Sequence, residues 1–509
     1  MAIETELKLR MTPEQLAKLR RHALFKTHQL TAPVTRHLHN IYYDTPKLEL
    51  QKRQMALRLR RVDGSWLQTL KGGGSIKAGL HQRDEWEVPV PSARLDFENL
   101  DDEAWKLHLP PAIRCNLKPV FITDFYRTSR MLDWQGAQIE VCMDHGEVKT
   151  ALHGQPICEV ELELKAGEPQ KLFELALAML DVVPFELEVV SKAEHGFRLL
   201  TGYIEQPVKG VVPKLSREVR LTEGLQTLIW SCLQHLQGNL RGAMGGGVIY
   251  NHDAEYLHQM RVALRRLRVA LLMAEKVRAD EELSSLRATL GELGSELGKI
   301  REWDVFIAQI VQPMCNAIEG EVGQQSMQLL LAVCEQQRAD CYDVLRQQGD
   351  SVQRLLLRFA IWMNGDYWQQ AEAQAPLTGQ FAEMRLNQLY RRYLKAGMQI
   401  DTLDAAHLHA LRIQAKKLRY SAEFFAALFD TRKAKAFLSA LSEVQERLGE
   451  INDITVAHRL LENHATNSSV HGEIVAFIKS TIDNDMSNKI KLLHKTVQKF
   501  NKRRVFWDK

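Results

Sequence analysis

The sequence predicts a two-part protein, with a predominantly antiparallel β domain over 1–205, a linker over 206–215 and an almost wholly α-helical region over 216–509. Three observations carry that reading. Runs of period two, which mark strands, recur in the first part at 3–10, 56–60, 84–88, 138–144 and 158–165. Long runs of helical period, rich in Leu, Ala, Gln, Arg and Glu and poor in proline, fill the second part. Between them, Gln206-Pro-Val-Lys-Gly-Val-Val-Pro213 interrupts any periodic pattern with two prolines and a glycine.

Helical patterns near 12–24 and 168–182 are minor insertions among the strands, and Lys71-Gly-Gly-Gly74 reads as a hairpin turn with Lys71 at a strand end. It is not a phosphate loop of the G-x-x-x-x-G-K-[ST] kind, because the spacing is wrong. The helical part repeats itself. His258–Arg268 matches His409–Arg419, and Leu297–Val305 matches Leu448–Val456, both at an offset of 151 residues. Two elements at one offset imply a duplicated bundle with two related halves.

Bulk composition excludes more than it identifies. A length of 509 residues with 45% hydrophobic content supports several folded cores and rules out a disordered chain. The 67 Lys+Arg against 63 Asp+Glu leave a net charge of only +4, which gives no reason to expect nucleic acid. Cysteines at 115, 142, 158, 232, 315, 334 and 341 include no C-x-x-C pair, so neither a disulfide framework nor a thiolate zinc site is indicated. Glu4 and Glu6 stand where a signal peptide would need basic residues, and no apolar run reaches membrane-spanning length. The expectation is a cytoplasmic protein that uses no membrane.

The strands carry the chemistry. Their polar faces are almost entirely ionic: Glu4, Glu6, Lys8 and Arg10 share one face; so do Arg58 and Arg60; so do Glu85 and Glu87; so do Glu140 and Asp144; and Glu159, Glu161, Glu163 and Lys165 form another set. Any one of these is an ordinary solvated face. Their recurrence within one small domain points instead to a barrel with its ionic faces inward, where carboxylates hold divalent cations and Lys and Arg hold a polyanion. The ligand this implies is a phosphate chain with magnesium, and the chemistry is phosphoryl transfer.

In the helical part, His258, Arg261, Arg265 and Arg268 line one helix face, and His409, Arg412, Lys416 and Arg419 repeat the stripe. Neither eleven-residue segment contains an acid, so four aligned cations in each half suggest an anionic ligand between them. The histidines could instead ligate metal, but neither cysteines nor paired carboxylates stand in register with them. His235 and His252 are further candidates for the ligand surface. The basic run from Lys489 to Arg504 reads as a solvated helix end or a weak polyanion contact. Protonation of His258 and His409 near a reference pKa of about 6.5 predicts stronger anion binding toward lower pH.

These motifs resemble two known families. Glu4-Thr-Glu6-Leu-Lys8 is similar to the ExExK signature of CYTH domains, and Tyr42–Pro46, Leu57–Arg60, Glu161-Leu-Glu163 and Ser191–Gly196 follow in that family's order. The resemblance covers about residues 1–203 and implies an eight-stranded antiparallel tunnel that binds inorganic triphosphate and Mg2+, or Mn2+ in its place. It implies metal ligation by Glu4, Glu6, Asp144, Glu161 and Glu163. It also implies phosphate binding by Lys8, Arg58, Arg60, Lys71, Arg127 and Lys192, with Arg130 at the opposite strand parity from Arg127 and Glu159 extending the carboxylate pair to a triplet. The reaction implied is hydrolysis of triphosphate to diphosphate and phosphate; adenylate cyclase and nucleoside or thiamine triphosphatase chemistry remain alternatives on the same scaffold, as does a non-catalytic polyphosphate binder. Residues 216–505 resemble the CHAD domain, which implies polyphosphate binding through the two basic stripes.

Overall fold

The computed structural model describes residues 2–77, 79–97, 103–244, 254–398, 405–465 and 472–508. They form two compact units, Met1–Gln206 with Asp350–Gly365, and Pro207–Gly349 with Asp366–Lys509.

Eight strands of the first unit close into an antiparallel barrel. In chain order they are β1 (Ala2–Arg10), β2 (Val34–Asp44), β3 (Ala56–Val62), β4 (Ser65–Lys77), β5 (Leu80–Val90), β6 (Lys118–Trp134), β7 (Ala137–Lys149) and β8 (Gly154–Ala166). Around the ring the order is β5-β4-β3-β2-β6-β7-β8-β1, and pairing of β1 with β5 closes it. A short β9 (Glu186–Leu187) adds to β1. Closure leaves the ring no free edge, and the alternation of side chains gives it a polar inner wall.

Two connections are two-residue turns with both central residues at positive φ: Asp63-Gly64 at 49° and 88°, and Gln135-Gly136 at 53° and 86°. Such turns match the right-handed twist of a hairpin. Lys71-Gly-Gly-Gly74 is not a turn. Lys71 sits within β4, opposite Ala56 and Glu85, and the register shifts between Gly72 and Ser75. Glycine is required at this bulge because a Cβ on Gly74, at φ +92°, would stand 1.8 Å from the Gln82 carbonyl oxygen.

Both faces of β1 are covered. Leu7 and Leu9 are fully buried on the outside, where β1 packs against the apolar helix Gln170–Leu180. The helix Pro13–Arg20 starts with a capping box, Thr12 accepting from the Gln15 N–H at 3.3 Å and Gln15 accepting from the Thr12 N–H at 2.7 Å. Helical periodicity alone places 349–364 in the helical part, but from Asp350 onward this helix clusters with the barrel. Gln353 Oε1 accepts from the Leu187 N–H at 3.1 Å, and Arg354 pairs with Asp181 at 2.7 Å.

The second unit is helical and its halves correspond. Helices Ala254–Val277, Glu281–Phe306 and Glu321–Gln347 are followed by Ala405–Phe425, Thr431–Ala465 and Gly472–Asn501, whose starts keep the 151-residue offset to within one residue. Each half opens with a further helix, Leu221–Met244 and Thr378–Gly397. A shared apolar core joins Trp303, Phe306, Val311 and Met327 of the first half to Ile454, Leu461 and Ile478 of the second. Among the described residues no helix is long and apolar enough to cross a membrane, and all seven cysteines are free.

Candidate functional site

Strand register brings the predicted ionic residues onto one wall. Lys8 lies directly across from Glu161, Glu6 from Glu163 and His81, Asp144 from Arg127 and Glu159, and Lys71 from Glu85. Helix Lys192–Thr201 adds one more cation. Ser191 caps it by accepting from the Glu194 N–H at 3.2 Å, which holds Lys192 at the first helical position. A cation is unfavourable at a helix N-terminus, so nearby carboxylates must hold it there.

The deepest group is an ion-pair lattice. Lys192 Nζ is 2.6 Å from Asp144 and 2.9 Å from Glu161, and also contacts Glu159. Arg127 grips Asp144 through Nε at 2.8 Å and Nη2 at 2.6 Å, a fork geometry that matches the carboxylate, and contacts Glu161 as well. Lys8 bridges Glu161 and Glu6, the latter at 2.9 Å. Arg130 does not share the site. It packs outside, its guanidinium 5.0 Å from the centre of the Phe25 ring.

Burial works against every charge here, and the partners decide the outcome. It opposes ionisation of Asp144, which Arg127 and Lys192 nonetheless hold below the usual carboxylate range, and Glu161 lies far below that range through Lys192 and Lys8. Glu159 goes the other way: burial pushes it up, and neighbouring Glu161 and Asp144 add to that. Such a division is expected when three carboxylates crowd together.

Asp144, Glu159 and Glu161 each offer an oxygen within 4.8 Å of the others. Three hard oxygen donors fit a divalent cation such as Mg2+ or Mn2+. Of the five carboxylates expected as ligands, only Asp144 and Glu161 belong to this group. Glu6 is held beside it by Lys8. Glu4 instead pairs with Lys71 at 2.5 Å, and Glu163 with Lys165 at 2.5 Å.

A further group of charges lies on β3, β4 and β5. Arg58 reaches Glu85 at 3.5 Å, and Lys71 reaches the same carboxylate at 3.3 Å. Arg60 donates from Nε to Asn40 Oδ1 at 2.7 Å, and its pKa is pulled down to about 10 by burial and by Arg58 and Arg127. The phenol of Tyr42 is raised by burial but lowered overall by Arg58 and Arg60. Glu87 accepts from Thr69 Oγ1 at 2.9 Å.

Asn40 and His81 escaped the sequence reading. His81 is fully buried and is held down to about 4, so it is neutral at physiological pH, by burial and by Lys8. It was legible in principle, since it shares strand parity with Arg83, Glu85 and Glu87. Asn40 is an uncharged residue on a strand of mixed pattern and carried no such signal.

In the helical unit the two stripes converge in part. Arg261 and Arg265 of the first act electrostatically on Arg412 and Lys416 of the second, and Arg301 acts on Arg261. Burial and these like charges pull Lys416 down to about 7 and Arg261 to about 10. Arg261 Nη1, Arg265 Nε and Arg412 Nε are buried with no hydrogen-bond partner among the described residues. Gly298 makes room, because a Cβ there would lie 3.1 Å from Arg261 Nη1.

The stripe ends differ. Arg268 is exposed and passes over Gly294, whereas Arg419 is committed to Glu423 at 2.7 Å and Gln445 at 3.2 Å. His409 is exposed. His258 is half-buried, and burial and Arg301 hold it below the ordinary imidazole range. The expected charging of His258 near its reference pKa is therefore corrected to lower pH. His235 belongs to the core, bonded to Gln259 at 3.0 Å, and His252 lies outside the described residues.

Comparison with known proteins assigns both units. Residues 2–196 match the model of the CYTH domain and residues 227–462 that of the CHAD domain. An inorganic triphosphatase of Haemophilus influenzae is 34% identical over 203 residues, a match that spans 39% of this chain and 55% of that relative. The crystal structure of a CHAD domain from the plant Ricinus communis is 29% identical and covers 59% of this chain and 98% of that one, with a TM-score of 0.51. A Hippeastrum protein described as having a dominant triphosphatase activity is 19% identical, covering 40% of this chain and 97% of that one with a TM-score of 0.30. The protein is thus a CYTH domain followed by a CHAD domain.

Proposed function

We propose that the barrel is a divalent-metal-dependent hydrolase that cleaves inorganic triphosphate to diphosphate and phosphate, and that the helical unit binds polyphosphate. The observation that carries the first reading is the convergence of Lys8, Arg58, Arg60, Lys71, Arg127 and Lys192 with a buried carboxylate triad inside a closed barrel. The Haemophilus relative supports the substrate class.

Asp144, Glu159 and Glu161 would hold the Mg2+ or Mn2+, with Glu6 beside them. When bound, the ion supplies charge neutralisation at phosphate oxygens and acidifies a bound water. The chain's own residues do the rest. Arg58 and Arg60, two apart on β3, present donors to phosphate oxygens, and among the described residues Arg60 has no carboxylate partner to give up. Arg127, Lys8 and Lys192 exchange carboxylate oxygens for phosphate oxygens, so the charges are already placed when substrate enters. Water adds to a terminal phosphorus, the P–O–P bond breaks, and diphosphate leaves.

Phosphate release from triphosphate, ATP and thiamine triphosphate, each with Mg2+ and Mn2+, tests this. Preferred turnover of inorganic triphosphate is expected; preferred turnover of ATP, or formation of cyclic AMP, would replace the reading. For the helical unit, salt-sensitive binding of polyphosphate is expected from four convergent cations, and its absence from the full chain would remove that half of the proposal.

A further inference from the structure

The outer wall of the barrel carries a histidine cluster that the tunnel chemistry does not use. On β2, His37 and His39 have the opposite parity from Asn40, whose Oδ1 meets Arg60 inside, and on β6 Asp124 has the opposite parity from Arg127. These three side chains project outward, each about a third to a half exposed. Strand register sets His39 directly across from Asp124 and His37 across from Tyr126. One strand further on, β7 sets Glu147 across from Asp124 and His145 across from Tyr126.

Both imidazoles on β2 turn to the same carboxylate. His37 Nε2 contacts Asp124 Oδ1, and His39 Nδ1 lies 3.4 Å from Oδ2. The His37 ring leans on Tyr126, with ring centres 4.9 Å apart at 34°. Burial would raise the Asp124 carboxyl, but His37 and His39 hold it below the usual carboxylate range, so a full negative charge stands beside the two rings. The exposed His145 and Glu147, the latter paired with Lys149, flank the group.

Two imidazoles and a carboxylate make a different donor set from the all-oxygen triad of the tunnel. Imidazole suits Zn2+, Cu2+ and Ni2+, whereas carboxylates alone suit Mg2+ and Mn2+. Histidines two apart on one strand face stand about 7 Å apart at Cα, close enough for both rings to reach one ion at about 2.0–2.1 Å. Among the described residues only the tunnel triad already holds three donor atoms within 4.8 Å of one another. On the outer wall the ion takes the place of the shared protons, each imidazole turning to its other tautomer, and draws in side chains that their exposure leaves free to rotate. Water completes the coordination.

We infer that His37, His39 and Asp124 form a binding site for a Zn2+-class divalent cation on the outside of the barrel, tying β2 to β6 and separate from the carboxylate site within. The site goes beyond the hydrolase reading and does not depend on it.

The test uses the full chain stripped of metal, titrated calorimetrically with Zn2+ in excess Mg2+, and with Co2+ followed by visible absorption. His37→Gln/His39→Gln is the working variant, because both side chains reach solvent. Its Zn2+ affinity should fall at least about a hundredfold, since loss of even an outer-shell partner costs about tenfold to a hundredfold, and the rise in melting temperature caused by Zn2+ should go with it. Glu159→Gln, which alters the tunnel, should leave this binding in place. Undiminished Zn2+ affinity in the histidine variant, or loss of Zn2+ binding in Glu159→Gln, overturns the site, as does a wild-type chain that binds no Zn2+ with Mg2+ present. His39→Gln alone guards against a misfolded double variant: it should keep the wild-type circular dichroism and change the absorption bands of bound Co2+, and unchanged bands overturn the site.

Discussion

The barrel and the helical unit both gather Lys and Arg, yet they hold them in opposite electrostatic states. In the barrel, burial would discharge Lys8, Arg127 and Lys192, but Asp144, Glu159, Glu161 and Glu6 keep all three more firmly protonated than in water. In the helical unit the balance reverses. Arg261, Arg412 and Lys416 are pushed down by burial and by one another, and the nearby Asp453 is itself pushed up by burial. The barrel cations are preorganised by internal partners that a metal and a phosphate chain can take over. Those of the helical unit repel one another, and on the proposed reading a bound polyanion would relieve them. Stability and function should therefore fall together in the first site and move apart in the second.

The largest expected effect tests the barrel side. Glu161 touches Lys8, Arg127 and Lys192, so Glu161→Gln should cost about 3 kcal/mol of stability by leaving buried cations uncompensated. Triphosphate hydrolysis should fall about a hundredfold to a thousandfold. Phosphate release and a urea melt read the two effects, and loss of turnover with an unmoved melt would break the coupling claimed for this site.

Next is Arg60, the barrel's exception. With Asn40 rather than a carboxylate as its partner, Arg60→Gln should raise KM about tenfold to a hundredfold while leaving the melting midpoint unchanged or higher. A marked drop in stability would place Arg60 with the paired cations.

In the helical unit, Lys416→Met should weaken polyphosphate binding about tenfold and stabilise the free protein by about 1 kcal/mol, since it removes a charge held among like charges. Calorimetric titration and thermal melts together decide this. A destabilised variant would mean that the cluster is neutralised by groups other than a ligand.

A pH series sharpens the same contrast. With Lys416 at about 7 in the free protein, a bound polyanion favours the charged form, so binding takes up a proton and weakens severalfold as pH rises through about 7. Folding has the opposite sign. The penalty for burying a charged Lys416 is full below about 7 and fades as pH rises toward the unfolded lysine value. Lys416→Arg should flatten the binding profile, and an unflattened one would shift the titration to another group.

The smallest effect separates the stripe ends. Arg419 already satisfies Glu423 and Gln445, so Arg419→Gln should change polyphosphate affinity about twofold or less, and Arg268→Gln should change it more. Equal losses would show that the two halves contribute alike.

Much of the candidate site was legible because a barrel strand has period two. Once Glu4, Glu6 and Lys8 share a face, their direction follows, and the same parity separates Arg127 from Arg130. What parity cannot show is distance along the wall. Glu4 and Glu163 have the right direction yet pair with Lys71 and Lys165, while Glu159, which the motif does not require, completes the triad with Asp144 and Glu161. The glycines after Lys71 are the same case in miniature, since a turn and a bulge share one composition and only the partner strand tells them apart.

The sequence by itself determined the β and α halves, the internal duplication, the inward ionic faces and the two basic stripes, because each is a local periodicity or a repeat that needs no partner to be read. Tertiary structure decided which charges meet. Pairing of β1 with β8 sets Lys8 across from Glu161, helix packing brings Arg261 and Arg265 near Arg412 and Lys416, and burial with those neighbours pulls Lys416 to about 7 while its barrel counterparts stay charged. These outcomes depend on the through-space neighbours and desolvation of each group, which residues far apart in the chain supply only after folding.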